Sequence, residues 1–118
     1  ASDPARYARA VAYYRGTEME KAVKEIDALI ADHPDNPFFH ELKGQMLFEF
    51  GRVAESVEPH RRSVELKPGK ALLRINLGRA LAASEEADSL NAAVKELKAA
   101  LLVEPDNSFG WFELARAY

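Results

Sequence analysis

The stretch HPDNPFFHELKGQ, residues 33–45, places two prolines three residues apart between two segments with helical periodicity. A close copy, EPDNSFGWFELAR, follows at residues 104–116. Proline disrupts a helix interior but suits its first turn, and asparagine is a preferred N-cap. The stretch therefore predicts that Pro34 follows the end of one helix, that Asn36 caps the next, and that Pro37 lies in its first turn.

The same helix-ending proline recurs along the chain. Pro34, Pro68 and Pro105 are separated by 34 and then 37 residues. A period of this length indicates a helical repeat protein. We expect about seven helices, at about 4–15, 18–32, 37–50, 53–66, 71–83, 87–103 and 108–118. They group into one domain, residues 1–118, with repeats at about 3–36, 37–70, 71–107 and an incomplete one at 108–118.

Small and large residues recur at fixed places within these repeats. Antiparallel helices approach closely only where side chains are small, and a large residue one turn away fills the groove between them. In the first helix of each pair the small sites are Ala10, Gly44, Gly78 and Ala115, and the large sites are Tyr13, Leu47, Leu81 and Tyr118. In the second helix the small sites are Ala22, Ser56 and Ala93, followed by large sites Ile26, His60 and Leu97, and then by Leu29, Ser63 and Ala100. The pattern predicts an all-α fold, a right-handed superhelical array of antiparallel helix hairpins.

Four local features refine this prediction. Thr17 and Glu20 have the spacing of a capping box, and Gly51 suits a left-handed helix end. Pro59 predicts a kink or a late start in the fourth helix. The third repeat is three residues longer than the second, and we expect the extra residues, within 82–90, to lengthen the start of the sixth helix.

Composition excludes several classes of function. The chain has 118 residues, 47% hydrophobic and 30% charged, with a net charge of −3 and no cysteine. This balance does not favour nucleic-acid binding, and thiol chemistry is excluded. No apolar run reaches the roughly 18 residues of a membrane span. The chain begins at Ala1 without a methionine or a signal peptide, so we expect a piece of a longer protein.

The residues provide no catalytic constellation. His33, His40 and His60 are the only histidines, and no two have the i, i+4 spacing that directs two imidazoles at one metal. We expect them to pack or to cap helices. Nucleophile elbows and phosphate-binding loops are also missing from the sequence. The prediction is a non-enzymatic fragment without a metal or cofactor of its own.

Residues 4–118 resemble tetratricopeptide repeats (TPRs), most clearly where Trp111, Leu114, Ala115 and Tyr118 match W-x2-L-[GA]-x2-Y. The stretches ARYARAVAYYRG (5–16), residues 35–84 with FFHELKGQ and PHRRSVEL, and residues 92–118 are also similar to the C-terminal part of bacterial zinc metallopeptidases. Those proteins join an HExxH protease domain to a TPR tail, as in the beta-barrel assembly-enhancing protease type. The resemblance implies an exported parent that binds Zn2+ and acts in protein quality control.

The TPR resemblance also implies a binding surface, because the first helix of each repeat lines the concave face. The corresponding residues are Tyr7, Val11, Tyr14, Arg15, Phe38, Glu41, Gln45, Phe48, Glu49, Leu72, Ile75, Arg79, Phe109, Phe112 and Arg116. Exposed aromatic side chains in such a set usually mark a binding site. A Lys/Asn clamp of the chaperone-binding type is not expected, because Gln45, Arg79 and Arg116 stand where that clamp has Asn.

Three functions follow from this resemblance. The first is an interaction module that recruits client polypeptides to a periplasmic zinc metallopeptidase. The second is a structural or regulatory domain that covers the active site of its own protease domain, with the aromatic residues packed against it. The third is an independent TPR adaptor. The resemblance implies a periplasmic location, and a cytoplasmic location is the alternative. We also expect some homodimerisation through the C-terminal end, with Trp111 and Tyr118 as contact residues.

Overall fold

The computed structural model describes residues 2–86 and 88–118, which form helices and no strand. The seven helices are α1 (Asp3–Arg15), α2 (Met19–Asp32), α3 (Pro37–Glu49), α4 (Val53–Leu66), α5 (Ala71–Ala83), α6 (Ser89–Val103) and α7 (Ser108–Ala117). The predicted bounds agree within one residue, apart from the start of α6. The sixth helix was predicted to begin at Ala87, which lies outside the described residues.

The helices stack in chain order. Short turns join α1 to α2, α3 to α4 and α5 to α6 as hairpins, and α7 packs against both α6 and α5. The described part of the molecule is elongated, with extents of 43 × 26 × 22 Å. This arrangement confirms the prediction of an all-α helical repeat.

Asparagine caps two of the helices that follow a proline. Asn36 Oδ1 accepts hydrogen bonds from the backbone N–H of Phe38 at 2.9 Å and of Phe39 at 3.4 Å. Asn107 Oδ1 accepts one from the N–H of Gly110 at 3.0 Å. These bonds satisfy donors that the first turn leaves free, and they confirm the predicted role of Asn36.

A second, unpredicted bond secures the same turns. In three repeats, a side-chain N–H in the first turn of the helix donates to the proline carbonyl six residues earlier. The pairs are His40 Nε2 to Pro34 at 2.8 Å, Arg74 Nε to Pro68 at 2.9 Å and Trp111 Nε1 to Pro105 at 2.7 Å. Since a carbonyl oxygen only accepts, His40 carries its proton on Nε2. The same contact is thus made by a different residue type in each of the three repeats, so the sequence shows no common motif for it.

The small and large sites form the helix crossings as predicted. A Cβ added to Gly44 would lie 2.6 Å from the His60 ring, and one added to Gly78 would lie 2.7 Å from Leu97 Cγ. The other small sites are fully buried at Ala10, Ala22, Ser56, Ser63, Ala93 and Ala100. Ala115 and Tyr118 are exposed, since none of the described helices packs on that side of α7.

One local prediction is wrong, one is confirmed, and two are settled only in part. Thr17 adopts a left-handed conformation (φ 61°) and donates to the Gly16 carbonyl, so Glu18, without a side-chain cap, precedes α2. α4 begins at Val53 and continues through Pro59, so the late start is wrong, whereas the kink at Pro59 stays a prediction. α6 has 15 residues against 14 in α4, so it gains one of the three extra residues; the other two lie between α5 and α6, where Ala87 is outside the described residues. Gly51 has φ 86°, the left-handed helix end that was expected.

Candidate functional site

Two adjoining hollows lie on the face formed by α3, α5 and α7. The first, of about 150 Å³, is lined by Gln45, Phe48, Glu49, His60, Asn76 and Arg79. The second, of about 240 Å³, is lined by Phe48, Arg79, Ala82, Ala83, Glu113 and Arg116. Because they share Phe48 and Arg79, we treat them as one surface and call it the central groove.

Arg79 lies at the junction of the two hollows. Its guanidinium carbon is 4.1 Å from the centre of the Phe48 ring, a close cation–π contact between α5 and α3. Within residues 2–86 and 88–118, no carboxylate lies within 4.0 Å of it, whereas Arg74 on the same helix pairs with Glu96 at 2.9 Å. Arg79 therefore presents a positioned cation to the groove.

Polar side chains form the floor beside Arg79. The Asn76 amide donates to Glu41 Oε2 at 3.0 Å, joining α5 to α3. Burial raises the pKa of Glu41, opposed by this hydrogen bond and by the positive charge of Lys70. Tyr14 lies nearby, where burial and a hydrogen bond to Glu49 raise the pKa of its hydroxyl. The first hollow thus combines the amides of Gln45 and Asn76 with the Glu49 carboxylate, and Asn76 also engages Glu41.

His60 packs beneath this floor and is only 2% exposed. Burial, with a smaller contribution from the charge of Arg79, lowers the pKa of His60 to about 4, so the imidazole is neutral at pH 7. In the part of the chain that the structure describes, its Nδ1 has no hydrogen-bond partner. His60 is a packing residue against Gly44, in keeping with the role expected of the histidines.

The other two histidines also have structural contacts. His33 Nε2 lies 2.6 Å from Asp3 Oδ2 and joins the end of α2 to the start of α1. His40 holds the turn before α3. Among the described residues, no group of three or more His, Cys, Asp or Glu side chains is placed to bind a metal ion. None of the described helices has the length and apolarity needed to cross a membrane.

The structure distributes the predicted site residues over three environments. Gln45, Glu49, Phe48, Arg79 and Arg116 line the central groove, with Glu41 below it. Tyr7, Phe38, Leu72 and Phe112 are exposed, whereas Val11, Tyr14 and Phe109 are half-buried and Arg15 is exposed at the end of α1. Val11 and Tyr14 pack on the core cluster of α1, α2 and α3, and Phe109 packs on that of α5, α6 and α7.

Ile75 does not line the groove. It is fully buried in the core that α5, α6 and α7 share, beside Leu101 and Leu114. Gly110 of α7 faces it, and a Cβ at Gly110 would lie 3.4 Å from Ile75 Cδ1. The glycine lets α7 approach α5 closely enough to cover Ile75, so the site predicted there is wrong.

Five groove residues were not predicted as part of the site, and one of them is His60, which was expected only to pack. Ala82 and Ala83 follow Arg79 by about one turn and make room for the second hollow. Asn76 and Glu113 each occupy the sixth position of their helix and are buried polar residues. Asn76 and Glu113 could have been found in the sequence as polar residues at the same repeat position. The second repeat has a leucine, Leu42, at that position.

A separate apolar surface lies at the end of the stack. Lys98, Leu101, Leu102, Trp111, Leu114 and Tyr118 line an open hollow of about 630 Å³ between α6 and α7. Leu102 is 85% exposed and Tyr118 is 79% exposed. We call this surface the α6–α7 apolar face.

Stacked helix hairpins with a groove along alternate helices define a helical repeat protein. The family model described as Tetratricopeptide repeat matches residues 7–71, more than half of the chain. The chain therefore belongs to the tetratricopeptide repeat family. This fold is a protein-interaction module and is typically non-catalytic.

Solved structures share the fold at low sequence identity. The first TPR of Spaghetti (RPAP3), bound to an HSP90 peptide, is 18% identical with a TM-score of 0.85, covering 96% of this chain and 87% of that chain. The second TPR domain of human RPAP3, in complex with an HSP70 peptide, is 17% identical with a TM-score of 0.81, covering 95% and 91%. An O-GlcNAc transferase mutant of Thermobaculum terrenum is 26% identical with a TM-score of 0.79, covering 97% of this chain and 21% of that one. No curated protein matches the chain.

Proposed function

We propose that the central groove binds an extended segment of a partner polypeptide. The observation that carries this proposal is Arg79, a cation stacked on Phe48 at the junction of two hollows, with no carboxylate within 4.0 Å among the described residues. RPAP3 domains of the same fold hold peptides of HSP90 and HSP70, which supports a peptide as the ligand.

The groove offers three kinds of contact to such a segment. Phe48 provides an apolar surface, Arg79 provides a charged donor, and the Gln45 amide can pair with a peptide backbone unit. Within the groove, Glu113 pairs with Arg116 at 3.4 Å, and Glu49 lies close enough to the Tyr14 hydroxyl to raise its pKa. Binding therefore depends on Arg79 more than on any other charge of the groove.

Reversing the charge of Arg79 is expected to weaken peptide binding at least about tenfold, because a positioned charge contact of this kind contributes more than about 1.4 kcal/mol. Binders would be selected from a random peptide library on the wild-type chain. Their affinities would then be measured for Arg79→Glu by fluorescence anisotropy.

Lys95→Glu is the matched control, since Lys95 is an exposed residue of α6 and lines neither hollow. It makes the same change in net charge and should alter affinity less than about twofold. Circular dichroism would verify that both variants remain folded. Selected peptides that bind both variants as tightly as wild type would refute the groove as the binding site.

We further propose that this module is the TPR region of a periplasmic zinc metallopeptidase and holds client polypeptides near the protease cleft. The support is the resemblance of residues 5–16, 35–84 and 92–118 to such proteins. Tethering a client raises its effective concentration at the active site without new chemistry. The full-length gene product should contain an HExxH domain, where Zn2+ would bind. A parent without one would leave an independent adaptor instead.

The exposed side chains of Tyr7, Phe38 and Leu72 favour a second candidate role, docking against the protease domain of the parent. A domain that covers the active site restrains proteolysis, whereas a client-recruiting domain promotes it. Deleting residues 1–118 from the parent distinguishes the two. Cleavage of a generic unfolded substrate should fall if recruitment dominates, and it should rise if covering dominates.

We propose that the chain self-associates through the α6–α7 apolar face. Trp111 and Tyr118 are exposed there beside Leu102, and burying such side chains stabilises by about 25 cal/mol per Å². Sedimentation velocity should show a concentration-dependent dimer, and Leu102→Glu should raise the dissociation constant at least about tenfold. Leu90→Glu changes an exposed leucine of the same helix outside this face and should have no such effect. Wild-type chain that stays monomeric at about 1 mM would contradict the proposal.

A further inference from the structure

Two cation-bearing phenylalanine rings lie on α3. Lys67 Nζ and Lys70 Nζ are 5.4 Å and 6.0 Å from the centre of the Phe38 ring, and Arg79 lies over Phe48. Among the lysines and arginines of residues 37–83, these three alone have no carboxylate within 4.0 Å in the described chain; the others are in ion pairs. Each unpaired cation of this segment is therefore placed by an aromatic ring.

The two rings share one side of α3. Phe38, Glu41, Gln45 and Phe48 follow one another at intervals of three, four and three residues, which places them on one helical face. Ten residues of helix at about 1.5 Å each separate the two phenylalanines by about 15 Å. The surface thus has a cationic site at each end, about 15 Å apart.

The middle of this surface has a different character. Glu41 accepts the Asn76 amide there, close enough to Lys70 for that charge to act on its pKa, and Gln45 follows one turn later. Carboxylate and amide groups can form hydrogen bonds with an uncharged polar side chain, whereas the carboxylate repels an acidic one.

We infer that this side of α3, from Phe38 to Phe48 in the central groove, selects an acidic segment with two carboxylate side chains four residues apart and an uncharged polar residue midway. This inference rests on the proposed function and names the chemistry of the bound polypeptide. An extended chain rises about 3.3 Å per residue, so four residues span about 13 Å, close to the separation of the two sites. Successive side chains of an extended peptide point to opposite sides, so the first, third and fifth residues of the motif all face α3.

Capped nine-residue peptides test the inference. The probe has Glu at its third and seventh positions, Asn at the fifth and Ser elsewhere. Its matched control replaces both Glu by Gln. In an NMR titration at low salt, the diacid should bind the wild-type chain at least about tenfold more tightly than the diamide, shifting the resonances of Phe48 and Arg79. Moving the two Glu to adjacent positions should remove most of this preference, and raising the salt to about 300 mM should reduce it.

Protein variants assign the two sites. Arg79→Gln and the pair Lys67→Gln/Lys70→Gln should each weaken diacid binding at least about threefold, whereas Lys95→Gln should leave it unchanged. Equal affinity for diacid and diamide, no binding of the diacid, or insensitivity to all these variants would overturn the inference. Library-selected peptides that still depend on Arg79 would then show that the groove binds polypeptide without this acidic preference, so the two failures are distinguishable.

Discussion

Gly44→Ala will lower the free energy of unfolding by about 2–3 kcal/mol, the cost of overpacking a tight core contact. The added Cβ would lie 2.6 Å from the His60 ring, which is only 2% exposed. Either α3 and α4 must separate or the imidazole must leave its rotamer. Urea unfolding followed by circular dichroism would measure the change.

A second glycine provides the control for this prediction. Gly69 lies in the turn before α5, and nothing lies within 4 Å of an added Cβ there, so Gly69→Ala should be neutral or slightly stabilising. Combining Gly44→Ala with His60→Ala should cost less than the sum of the single changes, since the smaller side chain removes the clash. Additive losses, or equal stability of Gly44→Ala and wild type, would contradict close packing at this crossing.

Lowering the pH from 7 to 4 will destabilise the chain through His60. The pKa of this imidazole falls from 6.5 to about 4 because burial opposes the charged form. A depressed folded-state pKa means that the unfolded chain binds the proton more tightly. The stabilisation is therefore present in full above about pH 6.5 and is lost as the pH falls through about 4. A shift of this size corresponds to about 3 kcal/mol.

Other groups also titrate in this range, so the comparison needs a variant that lacks only the imidazole. The Arg6 guanidinium lowers the pKa of Asp32, for example, which adds its own loss of stability in acid. His60→Leu follows the third repeat, where Leu97 packs against Gly78 at the equivalent crossing. Unfolding free energies measured in urea at pH 7 and pH 4 should fall about 3 kcal/mol less in His60→Leu than in wild type. Equal losses of stability in both proteins would show that folding does not lower the pKa of His60.

The helix caps and helix crossings of the repeats could be predicted from the sequence because they depend on local chemistry. Asn36 and Asn107 each follow a helix-ending proline and cap the next helix. Each cap bond joins residues at most three positions apart, so the sequence alone predicts it. Small residues such as Gly44 and Gly78 mark crossings because no larger side chain fits there. By contrast, the sequence does not show whether the three extra residues of the third repeat lengthen a helix or a turn, and only one of them lengthens α6.

The candidate site could be predicted only in part, because its contacts join residues far apart in the chain. Phe48 and Arg79 were expected on the concave face from their repeat positions, but their contact joins residues 31 positions apart. Asn76 and Glu113 face the groove from a position that holds a core leucine in the second repeat, so no single position rule identifies them.

Helix number, bounds and pairing thus follow from residue order alone, because capping, proline and small-residue packing act within a hairpin or between neighbouring ones. The shape and charge of the groove follow from how the hairpins stack. Glu41 and Ile75 hold the same repeat position, yet one forms the groove floor and the other is buried, since Gly110 allows α7 to close over Ile75. Stacking depends on the fit of surfaces distant in the chain, and in that fit a glycine on one helix determines the exposure of a side chain on another.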